Sequence, residues 1–275
     1  MPLALTSAFL LVAAALTSPQ APSKRPAEAL TIGETFTIRS AVLNEVRRIN
    51  VYAPPGYTES ADARLPVLYM PDGGVREDFL HVAGLVQVSV GNGTMRPFLL
   101  VGIENTERRR DMTGPTANAE DKKIAPRVGG ADAFRAFIRT ELMPEVKARY
   151  RTTGETAIVG ESLAGLFVVE TWLREPEMFD TFIAFDPSLW WNDAKLLDAA
   201  PALLRDRRGA KQKTLFLASS AEPELARLTE RLAALLKQGN VPELVWHYEP
   251  MPGEAHATIY HPAALRAFRL LFKPE

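Results

Sequence analysis

The length, composition and charge of the chain exclude several classes of protein. Its 275 residues are 47% hydrophobic and 24% charged, values that fit a globular protein and exclude a disordered chain or a polytopic membrane protein. The net charge of -1 gives no long-range field that would attract nucleic acid, so no nucleic-acid partner is expected. The chain has no cysteine, which excludes disulfides, a thiolate nucleophile and a cysteine-ligated metal.

Residues 1–28 differ in composition from the rest and are predicted to be a signal peptide. The apolar run 3–16 is followed by small residues suited to a signal-peptidase site. The run is short for a membrane-spanning helix, and an uncleaved anchor or a misassigned start is the alternative. We expect a periplasmic or secreted protein with no membrane contact beyond export, in which residues 29–275 form a single α/β domain.

From about residue 31, strand-like and helix-like segments alternate, which predicts a mostly parallel sheet with helices on both faces. Segments 35–39 and 48–53 alternate polar and apolar residues and are expected to be partly exposed antiparallel strands. Short apolar runs predict buried strands at 66–70, 97–103, 156–159, 181–185, 214–218 and 244–248. Apolar residues at helical spacing predict helices at 131–150, 162–174, 222–237 and 261–272.

The junction between the strand at 156–159 and the next helix carries a nucleophile motif. The sequence GESLAG occupies residues 160–165, and we interpret it as the G-x-S-x-G nucleophile elbow with Ser162 as the nucleophile. The turn lifts the serine hydroxyl clear of the sheet, while Gly160 and Gly165 leave room for neighbouring backbone. The alternative is that Ser162 is an ordinary helix N-cap.

A serine hydroxyl needs a base to take its proton, so a histidine is expected downstream. His256 lies in a glycine-containing loop after the last predicted strand and before the last predicted helix, where α/β-hydrolases place their base. His261 directly precedes Pro262 and is predicted to open the final helix. His81 and His247 lie in helix-like and strand-like segments and are predicted to be structural. We therefore predict His256 as the general base.

An acid that orients His256 is expected after the strand that precedes the last one. Glu222 is the first candidate there and Glu224 the alternative. Acids at a helix start also interact well with the helix dipole, so a serine and histidine pair without a carboxylate is left open.

The oxyanion formed during ester hydrolysis needs backbone N–H donors that are already in place. Leu163, the residue after the nucleophile, is predicted to supply one. Gly74, in the glycine-rich loop after the strand at 66–70, is predicted to supply the other. An ordinary Asp-Gly turn is the alternative for this loop.

Several segments together resemble one family: 67–74, 101–106, 108–113, 160–167, 186–191 and 253–256. They are similar to the esterase family of α/β-hydrolases that includes enterochelin esterases and S-formylglutathione hydrolases. The resemblance implies the α/β-hydrolase fold and hydrolysis of carboxylic esters or thioesters by serine and histidine, with no metal and no organic cofactor. This chain departs from the family pattern in having Glu161 beside the nucleophile and Asp186 where a small serine is usual. Asp186 is thus the second candidate for the orienting acid.

Two further groups are predicted to contact the substrate. Trp190 and Trp191 follow the strand at 181–185, at the end of the sheet where ligands generally bind. Adjacent residues of an extended segment point in opposite directions, so we expect one tryptophan in the core and one at the site. Among Arg108, Arg109 and Arg110, we choose Arg110 to bind an acidic substrate group, and a solvated loop is the alternative.

The predicted function is hydrolysis of a small-molecule carboxylic ester through an acyl-enzyme on Ser162. One alternative is acyl transfer, in which an alcohol captures the same acyl-enzyme. A siderophore ester is one of the substrates that fits this machinery. A non-catalytic binding protein on the same fold is the third hypothesis.

Overall fold

The computed structural model of the chain describes residues 27–205, 211–239, 241 and 243–274. The predicted signal peptide falls on residues outside the described part, apart from residues 27 and 28. The compact unit spans Ile32–Glu275. Within the described residues, no helix combines the length and apolar character needed to cross a membrane.

The compact unit is built on one eight-stranded sheet in the order β1-β2-β4-β3-β5-β6-β7-β8. The strands are β1 (Glu34–Ser40), β2 (Glu45–Tyr52), β3 (Leu65–Pro71), β4 (Leu99–Ile103), β5 (Thr152–Glu161), β6 (Thr181–Phe185), β7 (Lys213–Ser219) and β8 (Leu244–Pro250). β2 pairs antiparallel with β1 and with β4, and all other neighbouring strands are parallel. This is the mostly parallel α/β-hydrolase sheet that the sequence predicts.

Eight α-helices are described between and after these strands. They are α1 (Phe79–Gly91), α2 (Arg108–Asp111), α3 (Ala131–Phe137), α4 (Met143–Arg149), α5 (Leu163–Arg174), α6 (Lys195–Arg205), α7 (Pro223–Gly239) and α8 (Tyr260–Leu271). A π-helical turn, Ile138–Leu142, joins α3 to α4, so the predicted helix 131–150 is one helical segment with a change of pitch. α2 and α6 are additional to the predicted helices, and α1 contains His81, for whose helix-like segment no bounds were predicted.

Two hydrophobic cores cover the two faces of the sheet. In β3, Val67 and Tyr69 belong to the core that includes α5, whereas Leu68 and Met70 belong to the core that includes α1 and α8. Successive side chains of a strand point to opposite faces, so an apolar run without alternation is what a strand buried on both faces requires. Because these strands are parallel, their carboxyl ends lie at the same edge of the sheet, and the loops that follow β3, β5, β6 and β8 meet there.

Candidate active site

Ser162 lies on a strained turn between β5 and α5. Its backbone has φ of 61° and ψ of -120°, a conformation that residues with a Cβ rarely adopt. Two hydrogen bonds hold it: the Ser162 N–H donates to the Phe185 carbonyl and the Ser188 N–H donates to the Ser162 carbonyl, each at 3.0 Å. The end of β6 and the loop after it thus fix the strained turn that presents the Ser162 hydroxyl.

The glycines of this turn differ from our interpretation of the motif. G-x-S-x-G spacing places the second glycine at position 164, where the chain has Ala164. A Cβ on Gly160 would lie 2.7 Å from the Ala164 carbonyl carbon, and one on Gly165 would lie 2.9 Å from the Phe185 carbonyl oxygen. Gly160 therefore permits contact between β5 and α5. Gly165, outside the motif, permits contact between α5 and the end of β6.

A continuous chain of polar atoms runs from Ser162 through His256 to Asp186. His256 Nε2 lies 3.1 Å from Ser162 Oγ, and His256 Nδ1 lies 3.0 Å from Asp186 Oδ2. Asp186 is fully buried, and its other oxygen accepts the Ser220 N–H at 2.6 Å. The hydrogen bond to Asp186 is the main cause that raises the pKa of His256 above its ordinary value. We call this set of three side chains the relay.

Asp186 corrects our first choice of acid. Glu222, which we placed in this role, has an exposed side chain just before α7, and it influences the pKa of His256 only through its charge. Glu224 is likewise exposed, on α7 itself. β6 and β7 are neighbours in the sheet, so the loops after both strands come close to His256. Chain order alone cannot distinguish between them.

A second carboxylate stands at the same side of His256. Glu161 Oε1 lies 3.1 Å from His256 Nδ1. Burial raises the pKa of Glu161 to about 7, while the nearby His256 and Arg108 act in the opposite direction. Arg108 in turn holds Asp72 through two hydrogen bonds of 2.7 Å and 2.8 Å. The ionisable groups around the relay thus form a connected cluster.

The two predicted oxyanion donors differ in whether their N–H groups are available to a substrate. The Leu163 N–H is the first of α5, and the first amides of a helix have no partner within the helix, so it fits the role. The Gly74 N–H instead donates to Glu77 Oε2 at 2.7 Å. The preceding Gly73 N–H donates to the Ile103 carbonyl at 3.0 Å. The choice of Gly74 is therefore corrected, because its amide is already satisfied by a carboxylate within its own turn.

The two tryptophans point to different surroundings, as expected for adjacent residues. Trp191 is buried, and its indole N–H donates to the Gly114 carbonyl at 2.8 Å. Trp190 is half-buried and lines a cavity of about 700 Å³, together with Lys123, Glu224 and Arg227 among others. Trp190 therefore stays a candidate for substrate contact, whereas our choice of Trp191 is corrected to a core residue.

The choice of Arg110 is also corrected. Its guanidinium donates to Glu45 at 2.8 Å and to the buried Asp111 at 2.7 Å, so its hydrogen-bonding groups are used within the protein. Arg109 is exposed and donates to a backbone carbonyl. Arg108 is the member of this run that lies near the relay, where its charge acts on Glu161.

The chain is similar to known esterases over most of its length. The sequence model of the family described as "Putative esterase" matches residues 40–259. The ferri-bacillibactin esterase BesA of Bacillus subtilis (strain 168) is 29% identical, over 90% of this chain and 92% of that protein. The siderophore triacetylfusarinine C esterase of Aspergillus fumigatus is 32% identical over 52% of this chain and 51% of its own length.

Solved structures show the same fold. An IroE-like serine hydrolase from Shewanella oneidensis has a TM-score of 0.79 and 28% identity, covering 87% of this chain and 80% of that one. The BES protein from Bacillus cereus has a TM-score of 0.78 at 22% identity, covering 91% of this chain and 100% of that one. The chain therefore belongs to this esterase family of α/β-hydrolases and is a carboxylic ester hydrolase.

Proposed function

We propose that this enzyme hydrolyses the ester bonds of a siderophore, with the relay as its catalytic machinery. The observation that carries the choice of substrate is the similarity to a ferri-bacillibactin esterase over nine-tenths of the chain. A second curated relative, similar over half of the chain, is also named as a siderophore esterase.

The relay supplies each step of ester cleavage. His256 Nε2 takes the proton of Ser162 Oγ as the oxygen attacks the ester carbonyl carbon. Asp186 accepts the Nδ1–H of His256, which fixes the orientation of the ring and stabilises the imidazolium that forms. The Leu163 N–H donates to the developing oxyanion. His256 then protonates the departing alcohol, which leaves an acyl group on Ser162.

Water completes the cycle by the reverse use of the same groups. His256 removes a proton from a water molecule that attacks the acyl carbon, and it returns that proton to Ser162 as the acid leaves. Asp186 is buried, so its negative charge interacts with the imidazolium more strongly than it would in water.

The cavity beside Trp190 has none of the relay residues in its lining, so it is a candidate place for a part of a large substrate away from the ester bond that is cleaved. Its volume of about 700 Å³ falls in the range of roughly 300–1,000 Å³ that ligand sites occupy. Trp190 provides an aromatic wall, and Arg227 is an exposed cation in the lining. Four carboxylates line the cavity beside these two cations, those of Glu120, Asp121, Asp193 and Glu224. Lys123 is paired with Glu120, so Arg227 is the better placed of the two cations to donate to ligand oxygens.

The test is hydrolysis of ferri-bacillibactin, iron-free bacillibactin and triacetylfusarinine C, with products identified by liquid chromatography and mass spectrometry. Wild type should cleave at least one of them, and Ser162→Ala should cleave none. p-Nitrophenyl butyrate serves as a general ester. Turnover of that ester without cleavage of any siderophore would refute the substrate assignment and leave the relay intact. An acceptor alcohol added to the assay would reveal acyl transfer as an ester product in place of the free acid.

Export is a separate proposal, which the apolar run at residues 3–16 supports. Mass spectrometry of the protein recovered from the periplasm or medium of an expressing bacterium should show loss of about the first 28 residues. A full-length protein confined to the cytoplasm would contradict it.

A further inference from the structure

We propose that Glu161 is a second positioning carboxylate for His256, which shares the Nδ1 side of the imidazole with Asp186 and takes over when Asp186 cannot accept. This inference rests on the proposed relay and adds a residue to it. The relay as drawn from Ser162 to Asp186 does not use Glu161.

The sheet itself places the two carboxylates together. Glu161 is the last residue of β5, and it pairs in register with Phe185, the last residue of the parallel strand β6. Asp186 follows directly. Both acids thus stand at the same level of the same sheet edge, and their oxygens lie 3.1 Å and 3.0 Å from His256 Nδ1.

The two carboxylates differ in their other contacts. Asp186 is fixed by the Ser220 N–H, which donates to its second oxygen. Glu161 Oε1 is buried and, in the described part of the chain, has no hydrogen-bond partner, although it lies beside the imidazole. One ring N–H can be shared well by only one acceptor at a time, so Asp186 holds it in this structure. Glu161 is placed to accept this N–H when Asp186 does not.

Charged groups from four surrounding segments act on Glu161. His256, from the loop after β8, and Arg108, in α2, lower its pKa, whereas Asp186, after β6, and Asp78, before α1, raise it. Burial has the largest effect, and the pKa of Glu161 lies at about 7.

Glu161 therefore changes charge near neutral pH while in contact with the base. When ionised, Glu161 raises the pKa of His256, so it favours the imidazolium of the transition state. Protonated Glu161 loses this effect. Removal of the Asp186 charge would also lower the pKa of Glu161, because Asp186 raises it. The substitute acceptor would then be ionised over a wider range of pH.

The experiment is a double-substitution cycle on p-nitrophenyl acetate with Glu161→Gln, Asp186→Asn and the two combined. Loss of the single acid in a serine relay costs about 10⁴-fold in kcat. We expect kcat to fall clearly less than this in Asp186→Asn and to fall by the full amount in the double variant, so that the two effects are not additive. A full 10⁴-fold loss in Asp186→Asn alone, with no further loss in the double variant, would overturn the proposal.

The pH profile provides a readout that a structural role would not move. In Glu161→Gln the acid limb of kcat/KM should shift to lower pH, because a charge that raises the pKa of His256 is gone. Glu222→Gln is the matched control: its charge also acts on His256, but its side chain is exposed, so 0.5 M salt should abolish any shift. The shift in Glu161→Gln should persist in salt. No shift, or one that salt abolishes, would contradict direct contact.

A measurement without turnover separates this proposal from the proposed function. In Ser162→Ala, the ring resonances of His256 followed by NMR should titrate at lower pH when Glu161→Gln is added. If Glu161→Gln does not fold, Glu161→Asp replaces it, because a shorter side chain withdraws the carboxylate from Nδ1. An unchanged titration would overturn the role of Glu161. Absence of Ser162-dependent turnover in wild type would instead refute the relay itself.

Discussion

The backbone of Ser162, with φ of 61° and ψ of -120°, is a conformation that costs a residue with a Cβ about 1–3 kcal/mol and that glycine adopts freely. Ser162→Gly should therefore be more stable than Ser162→Ala. Both variants lose the hydroxyl and its contact with His256, so that loss cancels in the comparison. The unfolded chain of the glycine variant is more flexible, which lowers its stability by about 0.4–1 kcal/mol and offsets part of this gain. The net expectation is about 1 kcal/mol in favour of glycine.

Urea unfolding followed by circular dichroism measures this difference in the free energy of unfolding, with thermal unfolding as a second measure. In a domain of this size, about 1 kcal/mol corresponds to a rise of roughly 2–4 °C in Tm. Equal stability of the two variants, or a less stable Ser162→Gly, would refute the claim that the elbow stores backbone strain. The result would also show how much stability the fold gives up to present the Ser162 hydroxyl.

Three further outcomes are expected. The acid limb of the wild-type kcat/KM profile should have a midpoint above the ordinary 6.5 of histidine, because the hydrogen bond to its buried carboxylate raises the pKa of His256; a midpoint below 6.5 would contradict this. Gly73→Ala should lose more than about 3 kcal/mol in urea unfolding, because its Cβ would lie 2.2 Å from the backbone of β4. Gly84→Ala has open space in α1 and should gain about 0.5–1 kcal/mol; similar losses in both would contradict the argument. Arg227→Ala should raise KM for a siderophore more than for p-nitrophenyl acetate, whereas Arg110→Ala should lower Tm without a selective change in KM; the reverse pattern would restore Arg110 as a substrate ligand.

The sheet and the elbow were predictable because each depends on local sequence. The strand at 181–185 is predicted with the bounds that the structure has, because a five-residue apolar run that is rich in β-branched and aromatic residues favours a buried strand over a helix. The bounds of α1 and the helices α2 and α6 were not predicted. α1 is rich in valine and has glycine within it, which weakens helix propensity. α6 contains Pro201, which is typical of a helix end.

The contact between Ser162 and His256 was predictable from chain order, whereas the contact between His256 and Asp186 was not. Asp186 and Glu222 follow adjacent strands whose ends meet at one edge of the sheet, and only the fold decides which side chain turns inward. Asp186 does so from a backbone with φ of 40°. Its presence in place of a small serine was the signal in the sequence that favoured it.

The choices of Arg110 and Gly74 show a different limit. Arg110 is bound by Glu45, which lies 65 positions away in the chain, so its pairing depends on tertiary structure. Gly74 satisfies its N–H with a carboxylate in its own turn, and the sequence pattern of a flexible loop does not distinguish a free amide from a bonded one. Tertiary partners, rather than residue type, decide which polar groups remain available to a substrate.

The most direct test of the central claim is covalent trapping of Ser162. Wild-type protein treated with a fluorophosphonate should gain one adduct by intact-protein mass spectrometry, and peptide mapping should place it on Ser162, because the relay activates that hydroxyl alone. His256→Ala should label far more slowly, and Ser162→Ala should not label. An adduct on another residue, or equal labelling of folded wild type and Ser162→Ala, would contradict the account.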